Sequence, residues 1–213
     1  VTHAIIAIIA VLLILFSAEY LWRTKRLEGE SARKLIHILA GSIAAALPFW
    51  LSYHWIAFCS LGVICLSLIN SHYHFFKAGL SIKRRTYGDF MFASGIFICT
   101  LIHPAPWLFS IAILHVALGD GFAALLGLRF SKRFYKVFGH KKSLFGTITF
   151  AVTSFLILAV AINLKNVGYA YSLVPSLLVI PVTTALLENI SGYGTDNITV
   201  PLAVLGLLSI FRF

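Results

Sequence analysis

The chain has 213 residues, of which 60% are apolar and 11% charged, with a mean hydropathy of +0.94 and a net charge of +10. That composition excludes a soluble globular domain, and long apolar runs without barrel-like alternation indicate an all-α, polytopic transmembrane helical bundle. Cys59, Cys65 and Cys99 all lie inside apolar runs, which supports neither a disulfide framework nor a zinc cluster.

Eight apolar segments follow in order: Val1–Trp22, Arg33–Leu51, Trp55–Ser71, Tyr87–His103, Pro106–Phe130, Leu144–Leu164, Tyr171–Leu187 and Ile198–Phe213. The first has no basic leader region or small-residue cleavage site and reads as a retained span. The first seven are long enough to cross a hydrocarbon core of about 30 Å with some tilt or thinning. The eighth, with Pro201 near its start, covers only about 24 Å, so seven or eight spans are expected. Residues 1–213 read as one membrane domain, with the first span and its loop in 1–32 and the core in 33–213.

Charge orients these spans. Fifteen of the 17 Lys and Arg residues fall in three loops, Arg23–Lys34, Lys77–Arg85 and Arg129–Lys142. The intervening connections carry one lysine, Lys165, so the basic loops are expected in the cytoplasm and the N-terminus outside. The net positive charge then reflects topology and attraction to anionic lipid headgroups, and nucleic-acid binding is not needed to explain it. Trp22, Trp50, Trp55 and Trp107 all stand at segment ends, as an interfacial belt requires.

Four polar clusters punctuate the apolar pattern on the expected cytoplasmic face. The second segment opens RKLIHILAG, which puts Arg33 and His37 on one helix face, beside Lys34. Alone, this reads as a snorkelling anchor with an interfacial histidine. The fourth segment follows KRRTYGDF, where Asp89 also suits a helix N-terminus. The fifth contains Gly119-Asp120-Gly121, a carboxylate inside an apolar run, which costs about 2.5–3.5 kcal/mol on insertion scales and calls for a partner and a task. Ala123 and Gly127 continue it at a spacing that lets another backbone come close. Six cations follow within 22 residues, ending at Lys141, Lys142, Ser143 and the Gly146-Thr147 pair. A hard oxygen ligand followed by ammonium and amide donors is what a magnesium–nucleotide site needs, although no Walker-type loop is present. The last cluster, ENISGYGTDNITVPL, sets Glu188, Asp196 and Asn197 on a face otherwise held by cations. Each cluster has a plain structural reading, but all four on one face argue for a shared site.

The ordered set RKLIHILAG, RRTYGDF, GDGFAALLGLRF with KKSLFGT, and ENISGYGTDNITVPL resembles the phytol kinase, dolichol kinase and yeast-type diacylglycerol kinase group of integral membrane enzymes. The resemblance runs from about Arg33 to Phe213. It implies transfer of the γ-phosphate of CTP to a lipid alcohol: a polyprenol, a phytol-like isoprenoid alcohol or diacylglycerol. It implies Asp120 as a Mg²⁺ ligand, with Glu188 and Asp196 as further metal contacts. Lys141 and Lys142 would hold the triphosphate, helped by Ser143, Gly146, Thr147 and Asn197. Arg33 or Lys34 would neutralise the transferred phosphoryl, and His37 or Asp89 would accept the alcohol proton. The same central block also resembles CDP-diacylglycerol synthases, so a CTP-dependent cytidylyltransferase is the alternative. A secondary transporter is a more distant one, since no inverted repeat is evident.

Overall fold

The computed structural model describes residues 2–25, 29–73, 87–164, 174–211 and 213. The basic loop Lys77–Arg85, the first part of KRRTYGDF and the start of the expected seventh segment at Tyr171 lie outside them. Among the described residues the apolar runs become helices α1 (Thr2–Arg23), α2 (Gly29–Ala46), α3 (Tyr53–Tyr73), α4 (Gly88–Leu101), α5 (Pro106–Leu114) and α6 (Gly121–Phe130). A hairpin of β1 (Phe134–Val137) and β2 (His140–Ser143) follows, then α7 (Leu144–Leu164), α8 (Ser176–Ile190) and α9 (Asp196–Ile210). A π-helical stretch, His115–Asp120, joins α5 to α6 in one rod, and a 3-10 turn, Leu47–Phe49, extends α2.

Four of these stretches are long and apolar enough to cross a membrane: Gly29–Phe49, Tyr53–Tyr73, Pro106–Phe130 and Leu144–Leu164. Helices α4, α8 and α9 are apolar but have only 14, 15 and 15 residues, roughly 21–23 Å of rise. The fourth segment is thus shorter as a helix than the expected span. Its helix stops at Leu101 because His103, just before Pro104, takes a φ of 49° in the left-handed region. Helix α9 starts two residues before the expected segment, so Asp196 occupies its first turn, where the helix dipole favours a carboxylate.

The α5 rod is the buried centre. Phe109, Ile111, Ala112, Ile113, Val116 and Ala117 are all within 2% of full burial, which a helix apolar on every side requires. Phe150 and Leu158 of α7, Ile180 of α8, and Val204 and Leu208 of α9 close around it. Helix α3 has the opposite character. It buries only Ile56 and Ser60, and exposes Phe58, Leu61, Leu66, Leu68 and Ile69, a surface suited to lipid.

Lipid is as apolar as a leucine side chain, so helices in it associate by close packing and polar contacts. Both are visible. A β-carbon on Gly95 of α4 would collide with the Asn197 carbonyl of α9, so only glycine allows that approach. Gly127 of α6 lies against the backbone of Gly146, as the Ala123/Gly127 spacing anticipates. Ser110 donates to the Ala45 carbonyl at 2.6 Å, and the Ser154 and Thr184 hydroxyls meet at 3.3 Å.

The hairpin replaces what the sequence presents as a basic loop. Its strands pair antiparallel with Tyr135 opposite Lys142 and Lys136 opposite Lys141. The two-residue turn, Phe138-Gly139, has φ of 46° and 80°, the pair of positive angles that the twist of a tight hairpin demands. The Tyr135 hydroxyl docks the hairpin onto the bundle, lying 2.5 Å from both Thr147 Oγ1 of α7 and Asn189 Oδ1 of α8.

Candidate active site

Five elements bring the polar clusters to one end of the bundle: α2, the π-helical stretch, the hairpin, α8 and the loop into α9. Helix α2 supplies Lys34 and His37, three residues apart and therefore on one face. The Lys34 ammonium pairs with Asp120 Oδ2, and His37 Nε2 lies 3.7 Å from the same oxygen. Asp120 closes the π-helical stretch, the kind of local widening that often marks a functional position in a helix. It is 7% exposed, and Lys34 is 5% exposed. Such a pair holds only when each charge faces the other.

The hairpin supplies the second pair. Lys142 Nζ donates to Glu188 Oε1 at 2.5 Å and to the Glu188 carbonyl at 2.6 Å. Asn189, the next residue, anchors Tyr135, so Lys142 and its cross-strand neighbour grip adjacent residues of α8. The loop between α8 and α9 then brings Asp196 alongside. Carboxylate oxygens of Asp120, Glu188 and Asp196 all lie within 4.8 Å of one another. Like charges that close repel unless cations intervene, and here two lysines do so.

These groups line a cavity of about 450 Å³. Arg33, Lys34, Asp120, Lys141, Lys142, Ser143, Gly146, Thr147, Glu188, Asp196 and Asn197 all face it. Eleven of the thirteen residues singled out from sequence therefore converge. His37 does not line the cavity but stands behind Asp120, its ring 4.2 Å from Phe92. Asp89, exposed in the first turn of α4, does not line it either.

Not every lining group is free to meet a ligand. Ser143 Oγ accepts from the Gly146 amide at 3.0 Å and so caps α7. Thr147 Oγ1 is held between Tyr135 and Asn189. Arg33 Nη2 meets Glu30 Oε1 at 2.5 Å. Two buried polar atoms of lining residues, Arg33 Nε and Asn197 Oδ1, have no hydrogen-bond partner among the described residues. Burying such atoms unpaired is costly, which makes them candidate contacts for a ligand. Sequence reasoning did not single out Glu30, Tyr135, Asn189 or Tyr193. The signal for Tyr135 is its register opposite Lys142, readable only once the hairpin is known.

Fold and site together define a polytopic helical protein with a buried carboxylate–lysine cavity at one end of the bundle. Neither a family model nor a solved structure matches the chain. A phytol kinase from Synechocystis sp. (strain ATCC 27184 / PCC 6803 / Kazusa) is 32% identical over 202 residues, spanning 89% of this chain and 82% of the relative. The chain belongs to the phytol kinase family.

Proposed function

We propose that the protein is an integral membrane kinase that transfers the γ-phosphate of CTP to a lipid alcohol: a polyprenol, a phytol-like isoprenoid alcohol or diacylglycerol. The observation that carries this reading is the convergence of Asp120, Glu188 and Asp196 within 4.8 Å, in one cavity with Lys34, Lys141 and Lys142. Kinship with a phytol kinase supports the reaction class and weighs against a cytidylyltransferase or a transporter.

The donor set fits Mg²⁺. Three carboxylates and the unpartnered Asn197 Oδ1 are hard oxygen donors of the kind that ion prefers. When bound, the ion neutralises phosphate charge and orients the triphosphate. Four acids (Glu30, Asp120, Glu188 and Asp196) and four cations (Arg33, Lys34, Lys141 and Lys142) line the cavity, so its formal charges cancel. A divalent cation held among the carboxylates would leave the cavity net positive, which would favour a polyphosphate there. Lys141 and Lys142 then hold the phosphates, and Arg33 meets the charge that develops on the transferred group. Neither of the two proposed proton acceptors, His37 and Asp89, lines the cavity, and His37 stands 3.7 Å from Asp120, which does.

In this reading the chain crosses the membrane seven or eight times with its N-terminus outside, and the cavity opens at the cytoplasmic face. Basic loops there meet anionic lipid headgroups. The alcohol arrives laterally from the bilayer and the nucleotide from water. The test uses γ-labelled CTP, Mg²⁺ and a panel of lipid alcohols with the purified protein. Label in a lipid monophosphate, with CDP released, is the expected result. Label recovered as pyrophosphate, with cytidine in the lipid, would assign a cytidylyltransferase instead.

A further inference from the structure

The mouth of the cavity carries two exposed aromatic rings that the phosphate chemistry does not use. Phe134 of β1 is 47% exposed, and the Lys141 ammonium stands over its ring at 4.1 Å. That ring is covered by a cation, which commits it to the anionic part of a ligand. Tyr193, in the loop between α8 and α9, is 57% exposed, and no cation among the described residues covers its ring.

The loop around Tyr193 is shaped to present it. Tyr193 has a φ of 55°, a left-handed conformation costly for a residue with a β-carbon, and Gly192 and Gly194 flank it. Strain of this kind persists only where surrounding contacts enforce it, and it gathers at ligand-binding positions. Contacts from two neighbouring elements enforce it at Tyr193. The Tyr87 amide donates to the Tyr193 carbonyl at 3.4 Å, and Gly194 packs on the backbone of Gly88. From the hairpin side, the His140 ring meets Tyr193 edge-on, with centroids 4.9 Å apart and planes at 89°. His140 also occupies the space that a β-carbon on Gly192 would need. An edge-on neighbour fixes the orientation of the tyrosine ring and does not cover it as a stacked ring would. Four residues further on, Asn197 Oδ1 of the same cavity is buried with no donor among the described residues.

We infer that Tyr193 is the platform on which the base of the nucleotide donor stacks, with His140 holding the ring at the cavity mouth. The inference rests on the nucleotide-dependent reading above and adds to it the contact that distinguishes a nucleotide from bare polyphosphate. A planar base on an exposed tyrosine face gains stacking energy with little demand on base identity. The phosphates then reach inward, past Lys141, to the carboxylate end.

The experiment compares two probes, CTP and inorganic tripolyphosphate, each with Mg²⁺, titrated into the purified full-length protein by calorimetry. Tyr193→Asn removes the ring but keeps a residue that tolerates the left-handed backbone. It should weaken CTP about tenfold, the order of one aromatic–base stack, and leave tripolyphosphate unchanged. Tyr193→Phe should bind both as the wild type does. An unchanged ratio of the two affinities in Tyr193→Asn would overturn the platform, as would equal weakening of both probes or a Tyr193→Phe variant as impaired as the Asn variant. Failure of the wild-type protein to bind either probe would instead strike at the nucleotide-dependent reading itself.

Discussion

Asp120 is met at one oxygen by two residues from one face of α2, and that changes what its removal does. A carboxylate in an apolar helix is costly, so by itself an Asn in its place should insert more easily. Lys34, however, is almost fully buried against it. Asp120→Asn strands that ammonium, and breaking a buried pair on one side costs about 3–5 kcal/mol. We therefore expect Asp120→Asn to lower the melting temperature, and Lys34→Met combined with Asp120→Asn to recover much of it. Phosphotransfer should fall about 100-fold or more in both variants if Asp120 carries the metal. Recovery of activity along with stability would show that Asp120 serves the fold alone. The two hairpin lysines separate in the same way. Lys142→Ala leaves Glu188 without its partner and should reduce both stability and nucleotide affinity. The Lys141 ammonium stands over the exposed Phe134 ring, so Lys141→Ala should weaken nucleotide binding with little change in melting temperature. Equal thermal shifts for the two would contradict that division.

At the scale of elements, the hairpin is a short, strongly basic insertion with an unfavourable Lys136–Lys141 cross-strand pair. Its position depends on the Tyr135 hydroxyl, which reaches α7 and α8 together. Tyr135→Phe keeps the ring and removes both bonds, a loss of about 1 kcal/mol per bond. Amide exchange across Phe134–Ser143 should accelerate, and the Michaelis constant for the nucleotide should rise several-fold with a smaller change in turnover. Unaltered exchange in the hairpin would mean that strand pairing alone holds it. Sequence reading missed this element for a definable reason. Its turn is Phe-Gly where Asn-Gly or Asp-Gly would announce a hairpin, and lysines on both strands mask any apolar alternation. The π-helical stretch was equally hidden, because hydropathy does not distinguish it from the α-helical turns around it.

Across the whole molecule, the cavity requires the loops Arg23–Lys34 and Arg129–Lys142 to share one end of the bundle, since residues of both line it. Cysteines introduced at Thr24 and Phe138, both exposed, should label from the same side of a sealed membrane. Under the proposed topology a cysteine at Ile82 labels from that side and one at Asn166 from the other. Labelling of Thr24 and Phe138 from opposite sides would be incompatible with the cavity. Labelling of Ile82 and Asn166 from one side would refute the proposed arrangement of spans. The short helices α4, α8 and α9 make that measurement informative, because their lengths fall below a full bilayer crossing.

The sequence by itself determined the helical architecture and most of the lining of the cavity. Each of these leaves a local energetic trace: an apolar run, a basic loop, or an acid such as Asp120 where the bilayer penalises one. The tertiary structure alone decided who pairs with whom. Lys34, 86 positions from Asp120, proved to be its partner, while His37 and Asp89, equally prominent in sequence, were left outside the cavity lining. It also decided that Ser143 and Thr147 serve the framework, and that Tyr135 and Tyr193 belong near or at the site. The physical reason is that insertion energy depends on a residue and its immediate neighbours. A contact between α2 and the π-helical stretch depends instead on how every intervening helix packs.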